Sequence, residues 1–185
     1  MYNWDWWVYQ TSNLNTKEVQ WKIIPYTNNS CEFIIIHHTG NTGLKWNLDI
    51  LLWKTPKEVS CHFLIDLEWK AYKLADPRHV TRHAWKSEWK WLIWMNKYSL
   101  GIEILWSWIS WFTMEQKIRV KELIRYLMKT FNIPKENVLR HADLTWSWSN
   151  KWIIWDWVSK SRKIDIDKSF YFPKYKTWKE YQESL

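Results

Sequence analysis

Phe33-Ile34-Ile35-Ile36-His37-His38-Thr39 decides how this chain is read. The run from Phe33 to His37 is apolar without a break and then ends in histidine. A strand with one wet face would alternate. This one does not, so it reads as a strand covered on both sides by other layers. Such a strand belongs in a sheet between helices.

Other elements fall into place around it. Residues 39–56 begin as a loop, with an apolar centre at Leu48 to Leu52 that predicts a short helix. Ser60 to Asp66 and Lys70 to Leu74 read as a hairpin. Asp76 to Lys97 is polar and irregular, the length of a functional loop. Ser99 to Leu105 is a further strand. Thr113 to Phe131 is the clearest helix: Thr113 and Gln116 fit a capping box, and Val120, Leu123, Ile124, Leu127, Met128 and Phe131 recur on one face. Pro134 closes that region, and Asn137 to Arg140 is a short strand running into His141. Residues 1–20 read as an N-terminal extension and 173–185 as a C-terminal tail. No linker or internal repeat interrupts 21–172. The expected fold is a single α/β domain, a mixed central sheet flanked by helices.

The chain has 185 residues and a net charge of +8, enough length for one real core and a charge that favours polyanionic partners. No apolar run is long enough to span a bilayer. Met1 to Trp7 lacks basic residues before an apolar stretch and does not read as a signal peptide. Two cysteines, Cys31 and Cys61, are too few for a disulfide scaffold and read as buried free thiols.

Glycine and tryptophan counts are both abnormal, at 3 and 20. Average usage would give roughly 13 glycines. Several tryptophans stand where the backbone wants glycine: Trp69 in a hairpin turn, Trp106 between a strand and a helix, and Trp146 in a Ser-rich loop. A source that reads UGA as glycine, translated with UGA as tryptophan, would produce this pattern. The alternative is a Trp-rich surface for stacking on sugars or bases. Trp89 is expected to be a genuine tryptophan.

Three stretches carry chemistry: Ile36-His37-His38-Thr39, Arg140-His141-Ala142-Asp143 and Ser161-Arg162-Lys163-Ile164-Asp165. Two histidines at strand ends with one carboxylate make a common three-ligand set for catalytic zinc, the fourth position holding water. A lysine two residues before the carboxylate would set positive charge beside that water. Glu103 lies in an apolar strand, where burial would raise its pKa toward that of a working base. Its alternative is a structural ion pair. Asp143 reads equally as an orienting carboxylate or a turn residue.

Further landmarks follow in order: Val59-Ser60-Cys61-His62-Phe63-Leu64-Ile65-Asp66, His83-Ala84-Trp85-Lys86-Ser87, Asn96, and Ser99-Leu100-Gly101-Ile102-Glu103. Together with the histidine stretches, these resemble the type-2 N-acetylmuramoyl-L-alanine amidases, which share a fold with the peptidoglycan recognition proteins and phage amidase lysozymes. The resemblance covers roughly residues 20–172. It implies a Zn2+ cofactor held by His37, His141 and Asp165, with Asp156 as the alternative third ligand. Placing the third ligand at Asp165 needs an insertion, because the usual spacing lands on Lys151. The resemblance further implies Glu103 as the group that handles the water proton and Lys163 as the charge steadying the oxyanion. Where some members carry a tyrosine, this chain has Cys61, and the family resembled typically has glycine where Trp69 and Trp85 stand. His62, His83, Lys86, Ser87 and Asn96 are the implied substrate contacts, and the partner is peptidoglycan or a muropeptide, met by a monomer.

Two other readings remain at this stage. Recognition proteins of this fold bind without hydrolysis when a ligand is lost. A basic, aromatic chain also suits single-stranded nucleic acid, but that reading rests on the doubtful tryptophans, so no nucleic-acid partner is expected.

Overall fold

The run at Phe33 becomes the middle of a layered structure. A computed structural model describes residues 8–10, 28–52, 59–106, 111–146, 168–171 and 174–185. Its strands are β1 (Val8–Gln10), β2 (Phe33–His38), β3 (Phe63–Ile65), β4 (Ala71–Lys73), β5 (Ser87–Trp89), β6 (Leu92–Ile93), β7 (Ser99–Ile104), β8 (Val138–Arg140) and β9 (Thr145–Trp146). Its helices are α1 (Leu44–Leu51), α2 (Met114–Phe131), α3 (Lys168–Tyr171) and α4 (Trp178–Glu183).

Six strands form the main sheet in the order β1-β4-β3-β7-β2-β8. β3 and β4 pair antiparallel, as the hairpin reading expects, and the remaining neighbours run parallel. The sheet is therefore mixed. Ile34, Ile35 and Ile36 are fully buried, which is why the run carries no polar alternation.

Alternation instead sorts the two faces of the sheet. On one face Ile34, Ile36, Leu100, Ile102, Ile104 and Val138 meet Val120, Leu123, Ile124 and Leu127 of α2. Each such side chain contributes about 1.5–3 kcal/mol by leaving water. α2 starts as expected, with the Thr113 hydroxyl accepting from the Gln116 N–H and the Gln116 side chain accepting from the Thr113 N–H. Its C-cap is Asn132 in the left-handed region, φ 55°, which asparagine tolerates.

On the other face two apolar clusters form. Leu48, Leu51 and Leu52 of the α1 region cover Cys61, Leu64 and Leu74, and Phe33, Ile35, Ala84, Met95, Leu139 and Leu144 make the second. Cys31 and Cys61 are buried free thiols, as expected. Burial lifts the Cys31 thiol to about 11 and Cys61 well above its ordinary value.

Three segments carry more structure than their sequence suggests. Val8–Gln10, inside the expected extension, adds β1 to the sheet edge beside β4. The long loop contains a hairpin, β5 and β6, which β9 extends into a small second sheet. In the expected tail, Trp178 and Tyr181 of α4 pack into the α2-side core. The same helix orders the far edge of the main sheet: Trp178 Nε1 and Gln182 Nε2 give hydrogen bonds to the Val138 carbonyl at 3.2 and 2.7 Å.

The tryptophan expectations divide. Trp69 (φ 58°) and Trp85 (φ 49°) do hold left-handed backbone, and Trp94 (φ 66°) joins them. All three side chains are exposed. Trp106, also read as a glycine position, is buried, stacks on Phe112 and has no left-handed backbone. Trp146 lies in β9, paired with Ser87, rather than in a loop. Trp89 packs against the second apolar cluster, in keeping with a genuine tryptophan.

Candidate functional site

β2 and β7 run in parallel with His37 opposite Glu103, so both side chains leave the sheet on the same face. β8 pairs Arg140 with Ile36, which puts Arg140 on the α2 side and the next residue, His141, on the face of His37. Arg140 accordingly sits over the Trp178 ring at 5.4 Å. The result is a polar group on an otherwise apolar face: His37, Glu103 and His141 are all buried.

The two histidines face each other directly, His37 Nδ1 to His141 Nδ1 at 2.9 Å. On its other side, His37 Nε2 lies 3.0 Å from His83 Nδ1. Burial, with further repulsion from His37, His62 and His141, holds His83 well below the usual histidine range and hence neutral. Its ring lies close against Gly101, where an added Cβ would come within 2.5 Å of His83 Cγ. A strand-interior glycine that marks close approach is therefore real here.

The other expected contacts have distinct places. His62 is fully buried: its Nδ1 accepts from the Gly101 N–H at 2.9 Å, and its Nε2 lies 2.8 Å from the His79 carbonyl. Burial pushes it down to about 4. Its surroundings are protein on both ring nitrogens. Asn96 braces the loop that carries His83, its Oδ1 accepting from the N–H groups of His83 and Ala84 and its Nδ2 donating to the Trp85 carbonyl. Lys86 is exposed beside them. The Ser87 hydroxyl is buried without a hydrogen-bond partner among the described residues. Asp143 accepts from the Arg140 N–H and guanidinium, the turn role of the two readings. His38 packs against Trp106 at a tilt of 42°, with ring centroids 4.3 Å apart. Lys151, Asp156, Lys163 and Asp165 lie outside the described residues.

The donor chemistry suits zinc. Two buried imidazoles direct nitrogens at one another, and borderline-soft Zn2+ takes histidine with carboxylate. Among the described residues no group of three potential metal ligands comes together.

Comparison with known proteins shows the family and the fold. The family model described as N-acetylmuramoyl-L-alanine amidase matches residues 27–163. The chain belongs to that family. Similar solved structures include AmpD, at a TM-score of 0.58 and 16% identity over 65% of this chain and 79% of that one. They also include AmiD from E. coli, determined with the substrate anhydro-N-acetylmuramic acid-L-Ala-D-gamma-Glu-L-Lys. AmiD superposes with a TM-score of 0.54 and 23% identity over 65% of this chain, which spans 52% of AmiD. A mutant endolysin from Bacillus subtilis gives a TM-score of 0.52 and 25% identity over 63% of this chain and 74% of its own. No curated protein matches the sequence. Among the described residues no helix is long and apolar enough to cross a membrane.

Proposed function

We propose that this chain hydrolyses the amide bond between N-acetylmuramic acid and L-alanine in peptidoglycan, with zinc held by His37, His141 and Asp165. The observation that carries the reading is the buried His37–His141 pair, its nitrogens 2.9 Å apart, on the same face as Glu103 in a chain of the amidase family. Bound zinc supplies Lewis-acid polarisation of the scissile carbonyl and a more acidic water. Glu103 takes the proton of the attacking water and delivers it to the departing L-alanine nitrogen. Lys163 sets positive charge against the developing oxyanion. The apolar walls around Glu103 strengthen both effects by excluding water. Lys86 and Ser87, on the loop that Asn96 braces, are assigned to the stem peptide or sugar.

A binding-only reading has one observation in its favour: the family match ends at residue 163, before Asp165. Incubation with purified muropeptides separates the two. Release of free stem peptide, lost with a chelator and restored by zinc, supports hydrolysis. Asp165→Ala should then lose hydrolysis and keep binding. Binding with no release from the unsubstituted chain would establish the second reading, and full activity in Asp165→Ala would move the third ligand to Asp156.

A further inference from the structure

Hydrogen-bond bookkeeping extends from the site into the protein. The Ser99 hydroxyl donates to the Met95 carbonyl at 2.5 Å, which commits its only proton. His83 Nε2 faces two oxygens of Ser99, the hydroxyl at 3.3 Å and the carbonyl at 3.4 Å. Both accept, so the His83 proton belongs on Nε2. His83 Nδ1 then carries a lone pair and accepts from His37 Nε2–H. His37 is left with its lone pair on Nδ1, the nitrogen aimed at His141.

We propose that the Met95–Ser99–His83 chain fixes the tautomer of His37, making His83 a positioning residue that holds His37 Nδ1 ready as a ligand. Gly101 is part of the device, since only a residue without Cβ lets the His83 ring lie where it does. The tautomer follows from the protein alone. Its consequence for metal affinity rests on the zinc site proposed above. Partners of this kind orient ligating histidines and raise their basicity.

The experiment is long-range 1H–15N NMR of the histidine rings in the metal-free protein, with zinc affinities from chelator competition. His37 should be protonated at Nε2 and bare at Nδ1. His83→Phe should weaken zinc binding about 10–100-fold, and His83→Gln, whose carbonyl still accepts from His37, should recover most of that. A proton on His37 Nδ1 overturns the proposal, as does zinc affinity in folded His83→Phe within about threefold of the parent. If His83→Phe does not fold, the tautomer in the unsubstituted chain decides alone. Absence of amidase activity with the expected tautomer would remove the reaction and leave this inference standing.

A different observation carries a second inference. Left-handed backbone at Trp69, Trp85 and Trp94 is strained for a bulky residue and free for glycine. In the turn at residue 69, the Trp69 N–H donates to the Asp66 carbonyl and the Asp66 N–H to the Lys70 carbonyl, so the geometry is fixed by hydrogen bonds. We infer that the natural chain carries glycine at these three positions, through UGA codons read as glycine. Codon sequence, with peptide masses from the protein of its native source, tests this. UGA codons with glycine masses at 69, 85 and 94 are expected, and UGG codons with tryptophan masses overturn it.

Discussion

The two faces of the central sheet are made by the same strands and have opposite jobs. The face toward α2 carries a continuous apolar cluster, and the residues of that cluster can be exchanged for others of similar volume at modest cost. The opposite face interrupts its apolar clusters with His37, Glu103 and His141, joined by His83 from the loop before β5. Buried polar groups cost stability unless satisfied. The contrast teaches that both faces stabilise the fold through apolar burial, while one of them offsets part of that gain with a fixed polar arrangement.

Substitutions can break this contrast. His37→Ala should abolish stem-peptide release in a muropeptide assay while leaving the far-ultraviolet circular dichroism unchanged. Loss of helix signal would mean the polar face also holds the fold. Glu103→Gln keeps the shape and removes the base, so kcat should fall about 10²–10⁴-fold with little change in KM. The mirror experiment is Leu123→Ala on the α2 face. It should cost about 2–5 kcal/mol in urea unfolding and leave kcat per folded molecule intact.

Acid sharpens the comparison. His62 is neutral in the folded protein, titrating at about 4 against an ordinary 6.5. The unfolded chain therefore binds the extra proton first, and its stabilising contribution is complete above 6.5. It is lost as pH falls from there toward 4, by about 3 kcal/mol. Unfolding midpoints across that range should drop in the parent and drop less in His62→Gln. The smallest effect lies away from both faces: Trp69→Gly should raise stability by about 1–2 kcal/mol in the same assay, by relieving left-handed strain.

Much of this arrangement was legible in the residues. The unbroken run at 33–37, the capping box at Thr113 and the ordered histidine stretches led to the sheet, α2 and the His37–His141 pair. The β5–β6 hairpin was not legible, because Lys90-Trp91 at its turn carries no glycine, asparagine or proline to signal one. β1 is three residues long and gains its order from β4, a contact no local pattern reports. α4 was hidden because six residues are too few for helical periodicity to stand out. His83 was read as a substrate contact in the long polar loop. Its place against His37 depends on the approach to Gly101, and only the glycine itself hinted at that.

The clasp of α4 on β8 has a consequence for handling the protein. Among the described residues β8 ends the sheet, and an open strand edge is a template on which a second chain can pair. Trp178 and Gln182 occupy the Val138 carbonyl from that side. Trimming α4 by protease would therefore show itself first as self-association of molecules edge to edge, with the histidine pair still formed inside each one.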